Sequence, residues 1–234
     1  MNKEEFIKEV NKLGIEVTDE KIKKLERYYE LLIEWNEKIN LTAITLKEEV
    51  YLKHFYDSLT LFKAYDFNKN IKVCDIGTGA GLPGIVLKIF FDNIDITLVD
   101  ALGKRINFLR LVIDELKLNK ITTIHQRAEL FAKEHIEEFD LVTSRAVAKL
   151  NILNELCLPI VKINGYFIPM KANIAEELNE SKNSLKILNS TLEDTISFKL
   201  PKENSIRNLI IIKKIDKINN KYPRNFDKIK KNPL

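Results

Sequence analysis

Glycine, proline, cysteine and tryptophan are scarce in this chain: seven, six, two and one among 234 residues. Two cysteines, Cys74 and Cys157, are too few for a disulfide-stapled scaffold. Both stand in apolar company and read as reduced core thiols of a cytoplasmic protein. No stretch is long and apolar enough to cross a bilayer, so no membrane partner is expected. The opening Met1-Asn2-Lys3-Glu4-Glu5 lacks the shape of a signal peptide. Repeats and low-complexity tracts are missing too, and no metal is expected. What remains is 45% hydrophobic and 31% charged, the balance of a soluble, folded protein. The length suits one large domain, or one domain with a small appendage.

Because glycine is scarce, its placement is informative. Four of the seven, Gly77, Gly79, Gly81 and Gly84, fall in DIGTGAGLPG at 75–84. The apolar run 71–76 predicts a buried parallel strand, and 85–91 predicts a helix. Strand, glycine turn and helix make the first half of a nucleotide-binding crossover unit. Pro83 suits the first helical turn, where its missing N–H costs nothing. Two ligands compete for the loop. Gly79, Gly81 and Gly84 match the dinucleotide pattern G-x-G-x-x-G. Asp75, Gly77, Gly79 and Gly81 match D-x-G-x-G-x-G, which resembles the loop of S-adenosylmethionine methyltransferases. A carboxylate at the strand end, Asp75, suits the cationic methionine end of that cofactor. The dinucleotide pattern needs its first glycine directly after the strand; that is Gly77, and three places past Gly79 stands Leu82. The methyltransferase reading is therefore favoured.

Upstream, residues 1–67 read as a helical extension. Asn2 with Glu5 forms a capping box for a helix through residue 13, ended by Gly14. Thr18 caps a longer helix with Ile22, Leu25, Tyr28, Tyr29, Leu32 and Ile33 at helical spacing; its aromatics read as core or helix-packing contacts. Thr45 with Glu48 suggests a second capping box, opening a helix through His54. Asp57 or Ser58 is expected to cap a short helix to residue 64. Residues 68–70 link into the glycine-loop strand.

Downstream, strands and helices alternate, the mark of a parallel sheet. Strands are expected at 94–99, 121–125, 139–143 and 165–170, and helices at 104–116 and 174–188. Residues 150–163 read as mostly helix, broken or kinked at Pro159. Two last strands, 191–200 and 208–215, resemble the terminal pair of the methyltransferase version of the Rossmann fold. Residues 68–216 thus form the catalytic domain and 217–234 a basic tail. Residues 199–234 carry eleven Lys or Arg against Glu203, Asp216 and Asp227, so the rest of the chain is net −4. Such asymmetry points to a polyanion, or equally to a solvated lysine-rich end.

Ligands of open α/β sheets sit beyond the carboxyl ends of the strands. Asp100, after strand two, can accept both ribose hydroxyls of an adenosine, or cap the next helix. Arg127, Ala128 and Glu129 follow strand three; Ala128 leaves room for an adenine ring, while Glu129 also suits a helix start. Arg145 follows strand four, where cofactor and substrate should meet. It can bind phosphate or a guanine edge, or form a structural ion pair. Lys171, after strand five, has the same two readings.

Several further motifs stand in order: Asn40-Leu41-Thr42, His54-x-x-Asp57-Ser58, Val99-Asp100-Ala101-Leu102-Gly103-Lys104-Arg105-x-x-Phe108-Leu109, Arg127-Ala128-Glu129, Ser144-Arg145-Ala146 and Lys221-Tyr222-Pro223-Arg224. Together with the loop they resemble the bacterial small-subunit rRNA guanine-N7 methyltransferases, the glucose-inhibited division protein B family, from about residue 20 to the C-terminus. The resemblance implies a Rossmann-like fold and S-adenosylmethionine bound by Gly77, Gly79, Gly81, Leu82, Asp100, Ala128, Glu129 and Arg145. It implies guanine in 16S rRNA as substrate, free or within the small subunit; a monomer is expected. Arg145, Lys171 and Arg127 would hold the base or its phosphates. Asn40 and His54 would border the acceptor pocket, although His54 also suits a plain helix end. The sequence departs from the pattern at Lys171-Ala172, where Lys-Gly is expected. Guanine N7 has a free lone pair, so the lack of a base-plus-nucleophile pair is consistent with this chemistry. Two rivals stay open: a NAD-linked oxidoreductase, which leaves Asp75 and the terminal strand pair unexplained, and a non-catalytic RNA-binding protein, which has no need of the glycines.

Overall fold

The computed structural model describes residues 1–203 and 205–234. Helix α1 (Lys3–Lys12) starts at the expected capping box, with Asn2 and Glu5 each bonded to the other's backbone N–H. Helix α2 (Asp19–Ile39) is capped by the Thr18 hydroxyl. Its apolar stripe of Ile22, Leu25, Tyr28, Leu31 and Leu32 is buried, and it packs on two helices of the sheet domain.

The next helical stretch corrects two expectations. Leu46, not Thr45, precedes α3 (Lys47–Val50), and no side chain caps it. The helix then widens into a π-helical stretch, Tyr51–Tyr56, and continues through α4 (Asp57–Leu59) into a tighter 3-10 turn, Thr60–Lys63. Asp57 and Ser58 therefore cap nothing. They sit inside a continuous helical rod, Asp57 at 3% exposure and Ser58 at 0%. The Ser58 hydroxyl donates to the His54 carbonyl one turn back. Asp57 is engaged by arginines instead.

Seven strands form one sheet. Strand β1 (Lys72–Ile76) leads through the glycine loop to α5 (Gly84–Phe90). Then come β2 (Asp95–Asp100), α6 (Gly103–Glu115), β3 (Ile121–His125), α7 (Ala128–Glu134) and β4 (Phe139–Arg145). Strand β4 runs two residues beyond its apolar core, so Ser144 and Arg145 end the strand rather than follow it. Helix α8 (Leu150–Cys157) tightens to 3-10 at Leu158–Ile160. Pro159 ends this helix instead of kinking it, as a ring costing about 3 kcal/mol inside a helix should. β5 (Val161–Lys171) accordingly begins earlier than expected. A bulge absorbs the extra residues: Phe139 pairs with Val161, but Leu141 pairs with Tyr166. Two short helices, α9 (Ala175–Glu180) and α10 (Lys182–Ile187), replace the single expected one. β6 (Ser190–Lys199) and β7 (Ile206–Lys214) pair antiparallel, and α11 (Phe226–Lys231) ends the chain.

The strand order is β3-β2-β1-β4-β5-β7-β6. Strands β1 to β5 run parallel and β7 enters antiparallel to β5. The order reverses at β1, between β2 and β4, which is where an open parallel sheet leaves its ligand crevice. Two apolar clusters cover the two faces. One joins the N-terminal helices to α5 and α6, with Tyr28 stacked between Phe55 and Phe108 at centroid distances of 5.5 and 6.5 Å. The other contains Cys74, Cys157, α7, α8 and the C-terminal Tyr222 and Ile229. Both thiols are free and fully buried, and burial holds them protonated.

Candidate active site

The glycine loop takes its shape from backbone that other residues resist. Gly77, Gly79 and Gly81 have φ of +70°, +60° and +94°, where a side chain is strained. A Cβ on Gly77 would also lie 2.5 Å from Val147. The loop is tied down from both ends. Gly77 N and Thr78 N donate to the Val99 carbonyl at 2.9 and 3.1 Å. Asp75 lies behind the loop: its Oδ2 accepts from Thr78 Oγ1 (2.7 Å) and Gly84 N (2.9 Å). Asp75 is therefore a loop fastener that does not line the cavity. Its Oδ1 is buried without a partner, and burial raises its pKa to about 6 against those two hydrogen bonds and Arg145.

Asp100 ends β2 facing the loop. Its Oδ2 accepts from Gly79 N (2.9 Å) and Arg105 Nη1 (3.3 Å), and its Oδ1 from Leu102 N (2.9 Å). It both holds the loop and caps the turn into α6. Beyond these strand ends lies a cavity of about 570 Å³. Gly77, Asp100, Leu102, Ala128, Val147 and Phe226 are among the residues that line it. Arg127 and Glu129 line it too and pair with each other at 2.7 Å. One end thus offers a carboxylate beside backbone donors, the other a small residue between apolar walls. A cavity lined this way has the carboxylate, backbone and apolar surfaces that a nucleoside requires. The chemistry of this donor set fits S-adenosylmethionine.

Residues 21–210 match the family described as GidB, rRNA small subunit methyltransferase G. A relative called ribosomal RNA small subunit methyltransferase G, from Bacillus cytotoxicus, is 49% identical over 96% of this chain and 95% of its own. The Bacillus subtilis relative is 48% identical over 100% and 99%. The chain belongs to the rRNA small subunit methyltransferase G family. The fold agrees. The crystal structure of M. jannaschii TYW2 in complex with AdoMet aligns with a TM-score of 0.52 at 18% identity, over 64% of this chain and 71% of that one.

Other site residues expected of a family member lie apart from the cavity. Gly79, Gly81 and Leu82 shape the loop rather than line the cavity. Arg145 turns toward the helical layer. Its Nη1 donates to Asp57 Oδ2 and to the Lys53 carbonyl, both at 3.1 Å, and its Nη2 lies 3.5 Å from His54 Nδ1. His54 is 8% exposed, with Nε2 2.8 Å from Thr42 Oγ1. Burial, reinforced by Arg145, lowers its pKa to about 4, so the ring is neutral at pH 7. The structure thus brings Arg145 and His54 together, with the Asn-Leu-Thr turn beside them. Asn40 itself takes the left-handed conformation (φ +50°) that ends α2. Lys171 stands elsewhere: its Nζ pairs with Glu177 (2.7 Å) and donates to the Ala148 carbonyl. Ala172 needs no glycine, because its φ is not positive.

Sequence reasoning missed Arg207, whose Nε donates to Asp57 Oδ1 at 3.2 Å, and Phe226 in the cavity wall. The first contact spans 150 residues, and no local signal announces it. Asp57 is visible in a motif, but its local chemistry suggests only a cap. The basic C-terminal segment also differs from a loose tail. Lys214 is 0% exposed and donates to the carbonyls of Pro159 and Val161. Arg224 forks onto buried Glu155. Lys221, Lys228, Lys230 and Lys231 remain exposed. Among the described residues no group of His, Cys, Asp or Glu could hold a metal ion, and no helix is long and apolar enough to cross a membrane.

Proposed function

We propose that this protein transfers the methyl group of S-adenosylmethionine to N7 of a guanine in 16S rRNA, acting as a cytoplasmic monomer on RNA of the small ribosomal subunit. The observation that carries the reading is the cavity at the β1 switch point, walled by Gly77, Asp100 and Ala128, in a chain of this family. Bound there, the cofactor supplies an electrophilic methyl on a sulfonium. Held there, it would present that methyl to the N7 lone pair, with the neutral thioether as the leaving group. N7 carries a lone pair and no proton, so the chain needs no general base there. The protein's part is alignment. Asp100 and the Gly77–Gly81 loop orient the nucleoside, with Glu129 and Leu82 supporting them. Asp75 fixes the loop and places a carboxylate behind the cationic end. Arg145, held beside His54, faces the acceptor side, where its charge meets the guanine edge or its phosphates. Asn40 borders that side on the helical extension. Residues 1–67 then act as an acceptor-side extension of the 68–216 catalytic domain, and the exposed lysines of 217–234 add salt-dependent RNA affinity.

The test is incubation of the protein with methyl-labelled S-adenosylmethionine and small subunits from cells lacking this gene, followed by nuclease digestion. Label in 7-methylguanosine is the expected result. Label in another base would refute the N7 assignment. No label and no thermal stabilisation by the cofactor would refute the methyltransferase reading.

A further inference from the structure

The C-terminal segment is built into the cavity wall. Phe226 is the aromatic among the described residues lining it, which also include Arg127, Ala128 and Leu156. The Arg127 guanidinium lies over the Phe226 ring, 5.1 Å from its centroid, which fixes the ring's orientation. The segment reaches this position by anchors of its own. Arg224 Nε and Nη2 donate to the two oxygens of Glu155 at 2.8 and 2.7 Å, and its backbone N donates to Oε1 at 2.8 Å. Glu155 is 0% exposed, so this is a charge-assisted fork of the strong kind. Tyr222 at 8% and Ile229 at 0% exposure pin the segment on either side.

We infer that Phe226 is a cofactor-binding residue, and that residues 222–229 form the adenine-side wall of the site. This rests on the S-adenosylmethionine reading above. A flat purine seated beside Ala128 meets an oriented aromatic surface, and the segment's anchor, Arg224, is committed to Glu155 rather than to RNA. The end of the chain therefore serves two ligands: its apolar face the cofactor, its exposed lysines the RNA.

The experiment is calorimetric titration of the full-length protein with S-adenosylhomocysteine. Phe226→Ala should weaken binding about tenfold, the scale of removing one aromatic surface from a bound base. Phe226→Trp should keep affinity within about threefold. Its emission should change on binding, whereas the native Trp35, which packs on Phe108 at 5.9 Å and does not line the cavity, should not respond in the parent protein. If the parent protein binds and Phe226→Ala binds equally well, the inference is overturned. If Phe226→Ala fails to fold, Phe226→Trp decides: emission indifferent to saturating ligand overturns it. If the parent protein itself does not bind, the cofactor reading falls, and this inference with it.

Discussion

Arg145 and Asp57, 88 residues apart in the chain, meet as a largely buried ion pair at 3.1 Å between the sheet and the helical layer. The other oxygen of Asp57 accepts from Arg207. One carboxylate thus orients two guanidinium groups, with positive charge left over and a neutral histidine beside it. Truncating one member of such a buried cluster is costly because the survivors keep their charge without a partner.

Asp57→Asn keeps an acceptor but removes the charge. It should lower stability by about 1–3 kcal/mol and reduce methyl transfer at least tenfold, while S-adenosylhomocysteine binding stays unchanged. Denaturant unfolding, turnover and calorimetry read the three separately. Undiminished turnover would show that the orientation of Arg145 is immaterial to the reaction.

His54 makes stability sensitive to acid. Its folded pKa, about 4, lies below the ordinary 6.5, so the unfolded chain binds the proton more readily. Its contribution is complete above pH 6.5 and is lost as pH falls toward 4, a change of about 3 kcal/mol. Urea unfolding of His54→Gln between pH 7 and 4 should show a shallower loss than the parent. Parallel curves would mean that the ring is not buried neutral.

Asp75 acts with the opposite sign. Its folded pKa, about 6, lies above 3.8, so the folded chain holds the proton more tightly and stability falls as pH rises from 4 to 6. The stability of Asp75→Asn relative to the parent should therefore rise by up to about 3 kcal/mol between pH 4 and pH 8. The same variant should bind S-adenosylmethionine more weakly, through the missing charge and a loosened loop. A pH-independent difference would rule out the buried carboxylate as its cause.

Replacing Lys228, Lys230 and Lys231 together by Gln should weaken rRNA binding and flatten its salt dependence by about two units of log–log slope, at roughly 0.7 for each phosphate no longer neutralised. Lys214→Met should leave that slope alone, because Lys214 is sealed against backbone carbonyls. Filter binding at several salt concentrations separates the two. A slope that follows Lys214 would invert this assignment.

The local layers of this fold are readable in the sequence. The capping box at Asn2, the glycine loop, Asp100 and the alternation of strands and helices all follow from spacing and short-range chemistry. Expectation and structure part where distant groups compete for a residue. Asp57 has the chemistry of a cap, but two arginines from β4 and β7 claim its carboxylate. Val161 sits close behind Pro159, and pairing with Phe139 draws it into β5. Phe226 stands in a lysine-rich stretch whose charge hides one inward-facing ring. The site is legible where it follows strand ends, as at Asp100 and Ala128, and illegible where its walls come from the far end of the chain.

The Tyr28 hydroxyl, carried on α2 and wholly buried, donates to the Ala80 carbonyl in the glycine loop. The helical extension is thus the loop's backing plate, and an insult to either propagates to the other. Shortening the chain before β1 would leave a sheet whose glycine loop has lost this support from behind. A lesion in α1 or α2, far in sequence from any cavity-lining side chain, would then surface as a weakness for the cofactor as well as for the RNA.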